Sequence, residues 1–238
     1  MAPGGKSRRR KPGGAGRYYL IAGLLVFVVG VVVCYVYLLP HSSPEIKPVI
    51  LYVNQGNGAV NRTNFDAMAS YANSSGFNTM FFQIYRKGAL LFSQQDLQTF
   101  VTQAHLKDLK IFFSLYMTNP SQQIPSSIYG LGEDGVSLDM LNLSLPSQQS
   151  LLASLKASFG GETAVTTDNM YSTLKPDLLV KETYAPDTKP FIKPGIIGSV
   201  EVVATSSQAD YQSQFQYALQ NSDGVMVFDY AGLLKSGH

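Results

Sequence analysis

A short extended run followed by a helical stretch recurs about eight times between residue 48 and the C-terminus, and no other feature constrains the fold as much. Strands that alternate with helices form a parallel sheet, because each crossover returns the chain to the same edge. Eight such units close into an α/β architecture, a compact (β/α)8 TIM-like barrel, whose chemistry sits at the C-terminal ends of the strands. The extended runs are PVILYVNQ (48–55), NTMFFQIY (78–85), KIFFSLYM (110–117), DGVSLDM (134–140), ETAVTT (162–167), DLLVKETY (177–184), GIIGSVEVVAT (195–205) and DGVMVFDY (223–230). Helical patterns fall at 64–73, near 94–107, at 146–159 and at 207–222. The first has Phe65, Met68, Ala69 and Ala72 on one face and Gly76 as its stop. The helices after the third and fifth runs are short or missing, so seven units is the competing count.

A different kind of sequence precedes the barrel. Residues 1–17 carry six cations (Lys6, Arg8, Arg9, Arg10, Lys11 and Arg17) and no acid among glycines and prolines, the composition of a disordered tail. Residues 18–39 hold no charge, and at about 1.5 Å per residue they cover the roughly 30 Å of a bilayer core. This predicts one transmembrane helix in contact with the lipid bilayer. A cleaved signal peptide has a shorter apolar region, about 7 to 15 residues. The cations ahead of the span place the N-terminus in the cytoplasm and the C-terminal domain outside the cell. PHSSPEIK (40–47) is a polar tether to the domain at 48–238.

Charge and cysteine usage narrow the function further. Residues 41–238 contain 12 basic against 16 acidic residues, so the domain has no basic groove and nucleic acid is not an expected partner. The single cysteine, Cys34, lies inside the span, which leaves the exterior domain to a hydrophobic core alone. Sequons at Asn61, Asn73 and Asn142 suit an exterior location.

Successive residues of a strand face opposite sides, so alternation separates barrel-facing from helix-facing positions. In 134–140 the bulky Val136, Leu138 and Met140 are expected against helices, leaving Gly135, Ser137 and Asp139 inside. The same reading puts Gln83 and Tyr85 with Phe81, Ser114 with Tyr116, and Asp229 in phase with Val225 and Val227. Together these predict a polar ring at the upper rim made of Gln83, Tyr116, Asp139, Glu182 and Asp229. Asp139, Glu182 and Asp229 are the candidate catalytic residues, because two carboxylates facing across a barrel mouth can divide glycosidic cleavage between them. The competing account is that they form ion pairs with neighbours such as Lys181 or cap helices. Tyr85, Tyr116, Tyr184 and Tyr230, with Gln83, are candidate substrate-binding residues, since sugar rings stack on aromatic faces; core packing is the alternative for strand tyrosines.

Other chemistries have less support. His41, His105 and His238 are too scattered for a metal site, no cofactor motif is present, and the glycines of VNQGNG (53–58) form neither GxGxxG nor a P-loop.

The run DGVSLDML (134–141) resembles the fourth-strand signature of family 18 glycoside hydrolases, Asp-Gly-x-Asp-x-Asp-x-Glu. Asp134, Gly135 and Asp139 match it, whereas Ser137 replaces the middle aspartate and Leu141 the glutamate that acts as general acid in that family. A looser resemblance to glycosidase-like barrels spans 48–230. It implies carbohydrate as substrate or ligand, with Asp139 as base or stabiliser and Glu182 or Asp229 as acid. Loss of the motif glutamate implies the alternative, a noncatalytic pseudo-glycosidase barrel that binds glycan or a protein partner at the cell surface.

Overall fold

The computed structural model describes residues 46–55, 60, 62–168, 173–183, 193–202, 208–228 and 233. The tail, the predicted span at 18–39 and most of the tether lie outside these residues, as do Asn61, Tyr184, Asp229 and Tyr230. No helix among the described residues is long and apolar enough to cross a membrane. The chain divides between Ile46 and Lys47, and the described strands and helices belong to the unit Lys47–His238.

Among the described residues nine strands form one sheet: β1 (Val49–Val53), β2 (Thr79–Arg86), β3 (Ala89–Leu90), β4 (Lys110–Tyr116), β5 (Gly135–Asp139), β6 (Glu162–Thr167), β7 (Leu178–Lys181), β8 (Ile197–Glu201) and β9 (Val225–Phe228). All except β3 are parallel to their neighbours, and β1 pairs with both β9 and β2, so eight strands close into a barrel. β3 is an antiparallel return from a two-residue turn, Lys87-Gly88, with both φ angles positive (52° and 83°). This is the turn geometry whose twist matches a hairpin.

The helices form where apolar residues recur at helical spacing. In α1 (Phe65–Ser74) the buried face is Phe65, Met68, Ala69 and Ala72, and Gly76 at φ 82° lets the Phe77 amide reach back to the Ala72 carbonyl at 3.0 Å. In α2 (Gln94–His105) Ser93 caps the helix by accepting from the Asp96 amide at 3.1 Å, and Leu97, Phe100, Val101 and Ala104 are buried. α3 (Leu145–Ser158) and α4 (Gln208–Asn221) follow β5 and β8. After β4 the described chain makes only the 3-10 turn Ser126–Ile128, and after β6 it makes no helix among the described residues.

Two cores result. Inside the barrel lie Ile50, Tyr52, Phe81, Phe112, Ala164, Val180, Ile197 and Met226; between sheet and helices lies a larger layer that includes Phe65, Phe82, Phe100, Leu115, Leu138 and Val227. Alternation in β5 is as expected, with Val136, Leu138 and Met140 in the outer layer. Two expected phases are corrected. In β2, Gln83 pairs with Ser114 but Tyr85 with Leu115, so Ile84 is an extra residue, and this bulge turns Tyr85 into the outer layer. In β9, Val225 and Val227 pack outward while Met226 enters the barrel, opposite to the phase that aligned Asp229 with them.

The N-terminal end of the barrel is braced by one device used four times. A residue just before every second barrel strand accepts from a backbone amide at, or just ahead of, the start of the preceding barrel strand. Asn78 takes Val49 (2.9 Å), Asp134 takes Ile111 (2.8 Å), Asp177 takes Thr163 (2.7 Å) and Asp223 takes Gly195 (2.8 Å). These bonds tie the start of each such strand to the chain entering the next. Asp177 also accepts from the Thr163 hydroxyl; burial pushes its carboxyl up, but the Thr163 donors and the Lys156 charge outweigh that and hold it below the usual aspartate value. A depressed carboxylate contributes stability above its unfolded value, about 3.9, and loses that contribution as pH falls through the lower folded value. Asp177→Ala is therefore expected to melt below wild type at pH 7, with the gap narrowing once the pH drops under about 4. A gap independent of pH, in melts followed by circular dichroism, contradicts this role.

Candidate functional site

The C-terminal end of the barrel holds a buried polar cluster centred on Tyr52. This residue alternates with Ile50 on β1, so its ring stands inside the barrel, 4.9 Å from Phe228 between ring centres. Its hydroxyl donates to Asp139 Oδ2 at 2.7 Å and accepts from Gln83 Nε2 and Ser114 Oγ, each at 3.4 Å. Ser137, one turn of the pleat below Asp139, lies 3.5 Å from Thr166 Oγ1. Inward positions of β1, β2, β4 and β5 thus meet at one point, because inward side chains of a closed barrel converge on its axis.

Asp139 is 3% exposed, and its Oδ1 is buried with no hydrogen-bond partner among the described residues. Burial pushes the carboxyl up to about 7, against the opposing effect of the Tyr52 hydrogen bond. Burial also raises Tyr52 well above the ordinary phenol value, helped by the charges of Asp139 and Glu182 and opposed by Ser114. Tyr52 therefore stays protonated and is a permanent donor to Asp139. A buried acceptor left without any partner costs about 1–3 kcal/mol.

Asp139, Gln83 and Glu182 are buried at this end, with the Glu182 amide bonded to the Thr167 carbonyl at 2.9 Å. Tyr116 stands opposite Asp139 in the β4–β5 register and is half-buried. Tyr85 is not at the mouth; it packs outward, with its hydroxyl 3.4 Å from the Gln123 carbonyl. Asp229, Tyr184 and Tyr230 lie outside the described residues. Lys181 donates to the Asp168 carbonyl.

The residues matching the family 18 signature separate by role. Asp134 is at the opposite end of β5, bonded to the Ile111 amide and to His105 Nε2 at 2.9 Å, and Gly135 is held by packing against Phe112. Asp139 alone reaches the C-terminal end. Sequence reasoning missed Tyr52. The available signal was a hydroxyl in an otherwise apolar run, VILYV, at the same parity as Ile50.

Tyr52→Phe removes the one hydrogen bond that favours the Asp139 carboxylate, so Asp139 is expected to titrate above its value of about 7 in wild type. Loss of a hydrogen bond to a charged group lowers stability by about 1.5–3 kcal/mol at alkaline pH. Carboxyl carbon NMR shifts against pH check this, and a midpoint that stays or falls removes Tyr52 from the control of Asp139.

No protein-family model matches the chain, and no curated protein matches it. Solved structures do. A chitinase from Bacteroides thetaiotaomicron superposes with a TM-score of 0.56 at 11% identity, covering 78% of this chain and 90% of that one. A family 113 β-mannanase from Alicyclobacillus acidocaldarius gives 0.52 at 9% identity, with 76% and 86% covered. A family 36 α-galactosidase from Geobacillus stearothermophilus gives 0.52 at 7% identity, with 80% and 41% covered. At such identities the likeness concerns the fold alone, and the fold that the described residues of 47–238 form is a closed, eight-stranded parallel α/β barrel of the TIM type.

Proposed function

We propose that this chain presents a carbohydrate-active barrel outside the cell, anchored by a membrane span at 18–39 with residues 1–17 in the cytoplasm, and that the barrel cleaves a glycan by carboxylate acid–base chemistry. The observation that carries this reading is Asp139, buried at the C-terminal end of β5 with the Tyr52 hydroxyl on its Oδ2, where burial pushes its carboxyl up to about 7. A carboxyl at that value exchanges its proton with a leaving oxygen or a water at neutral pH, which an ordinary aspartate does poorly. Tyr52 orients it, and Glu182, whose charge reaches Tyr52, is the second carboxylate. The surplus of acidic over basic residues in 41–238 argues against nucleic acid as a partner.

Leu141, where the family 18 signature has its general acid, favours a second reading, a noncatalytic barrel that binds glycan or a protein partner. Incubating the full chain with a panel of polysaccharides and measuring released reducing ends separates the two. Cleavage lost in the Asp139→Asn variant supports the enzyme; binding without cleavage supports the pseudo-glycosidase; neither binding nor cleavage removes carbohydrate altogether. For the anchor, protease added to intact cells should digest the barrel and spare an N-terminal tag. The reverse pattern would invert the topology.

A further inference from the structure

The bulge in β2 has an effect at the barrel mouth. Tyr85 pairs with Leu90 across the β2–β3 hairpin, and both pack in the outer layer. Arg86 and Ala89 form the next cross-strand pair and, by alternation, face the other way, over the C-terminal end of the barrel, where Ala89 is exposed. The inserted residue therefore exchanges a tyrosine for an arginine on the mouth side. Arg86 is half-buried, and its Nε is closed off from solvent without a hydrogen-bond partner among the described residues. The ion pairs among those residues use Arg62, His105, Lys107 and Lys110 instead. This is so although residues 41–238 hold more carboxylates than cations.

A second donor lies on the neighbouring strand end. The Gln55 amide donates to Gln83 Oε1 at 3.2 Å, which fixes Gln55 beside β2, and Gln55 Nε2 is also buried with no partner among the described residues. Gln55 follows β1 and Arg86 ends β2, two strands that pair side by side, and neither donor has an acceptor among the described residues. A guanidinium presents a planar fork of N–H groups that matches the two oxygens of a carboxylate.

We propose that Arg86, with Gln55 on the neighbouring strand end, binds the carboxylate of a uronic-acid sugar at the barrel mouth, which makes the glycan an acidic one; this rests on the carbohydrate reading of the barrel. The carboxylate adds a charge-assisted, two-point contact that a neutral sugar lacks.

The test measures binding of the full chain, by calorimetry at low salt, to oligogalacturonate and oligoalginate, to the methyl ester of each, and to sulfated dextran. At least one uronate oligomer is expected to bind about tenfold or more tightly than its ester, from the strength of charged hydrogen bonds. Arg86→Gln should erase that preference and Arg86→Lys should keep part of it, both with melting temperatures near wild type. An ester bound as well as its acid, a preference that survives in Arg86→Gln, or Arg86-dependent binding of sulfated dextran alone overturns the proposal. Binding or cleavage of neutral glycans without any preference for acid overturns it while leaving the carbohydrate reading intact. Failure to bind every glycan, acidic or neutral, overturns both.

Discussion

Asp139→Asn is expected to lower glycan cleavage by about a hundredfold or more, because it removes a group placed for proton transfer while preserving its shape. The same change is expected to stabilise the barrel at alkaline pH. The folded-state value of about 7 exceeds the unfolded value, so the native state holds the proton more tightly and ionising Asp139 opposes folding. For this group stability is greatest below the unfolded value near 4, declines as pH rises to about 7, and is level above that; the full difference is roughly 4 kcal/mol. Asparagine avoids this penalty and still accepts from the Tyr52 hydroxyl. The variant should therefore melt close to wild type at pH 4 and increasingly above it up to pH 7. Unchanged turnover, or a melting difference that ignores pH, would take Asp139 out of the chemistry. Loss of activity together with gain of stability is the pattern expected of a residue kept for function.

Gly135→Ala is expected to cause the largest loss of stability. A Cβ at Gly135 would lie 2.1 Å from Phe112 Cε1 and 2.7 Å from the Glu162 carbonyl oxygen, so one obstacle is a ring locked in the barrel and the other is backbone. Overpacking of this kind costs about 3 kcal/mol at its upper end. In a domain of this size that lowers the melting temperature by roughly 6–12 °C. Combining Gly135→Ala with Phe112→Leu should recover part of the loss, since leucine vacates the space the ring occupies. A double variant no more stable than Gly135→Ala alone would mean that the glycine serves the backbone rather than the ring. The glycine shared with the family 18 signature is thus accounted for by barrel packing.

Much of the fold was legible because it rests on local chemistry. The α1 face of Phe65, Met68, Ala69 and Ala72, its stop at Gly76, and the outward set Val136, Leu138 and Met140 all follow from helix and strand periods within one segment. Among the described residues the stretches after β4 and β6 form no α-helix, in keeping with their lack of helical spacing. Misplacements occurred where alternation was extended without a partner strand to check it. Only the β2–β4 register reveals the extra residue that turns Tyr85 outward, and only packing against α4 reveals that Val225 faces out. Asp134 resembled a signature carboxylate in sequence, but its place at the N-terminal end of β5 makes it a brace.

The strand and helix segments, the position of the uncharged stretch ahead of them and Asp139 as the carboxylate at the end of the fourth barrel strand are all legible from the chain, since each depends on residues a few positions apart. Tertiary structure decided the contacts made across the barrel. Closure through β1 brings Tyr52 against Asp139, separated by 87 positions, and burial there raises the carboxyl to about 7. The physical reason is that a side chain's parity is local, whereas the register, bulges and water exclusion that determine its neighbours and its charge arise only when eight strands pair in a ring.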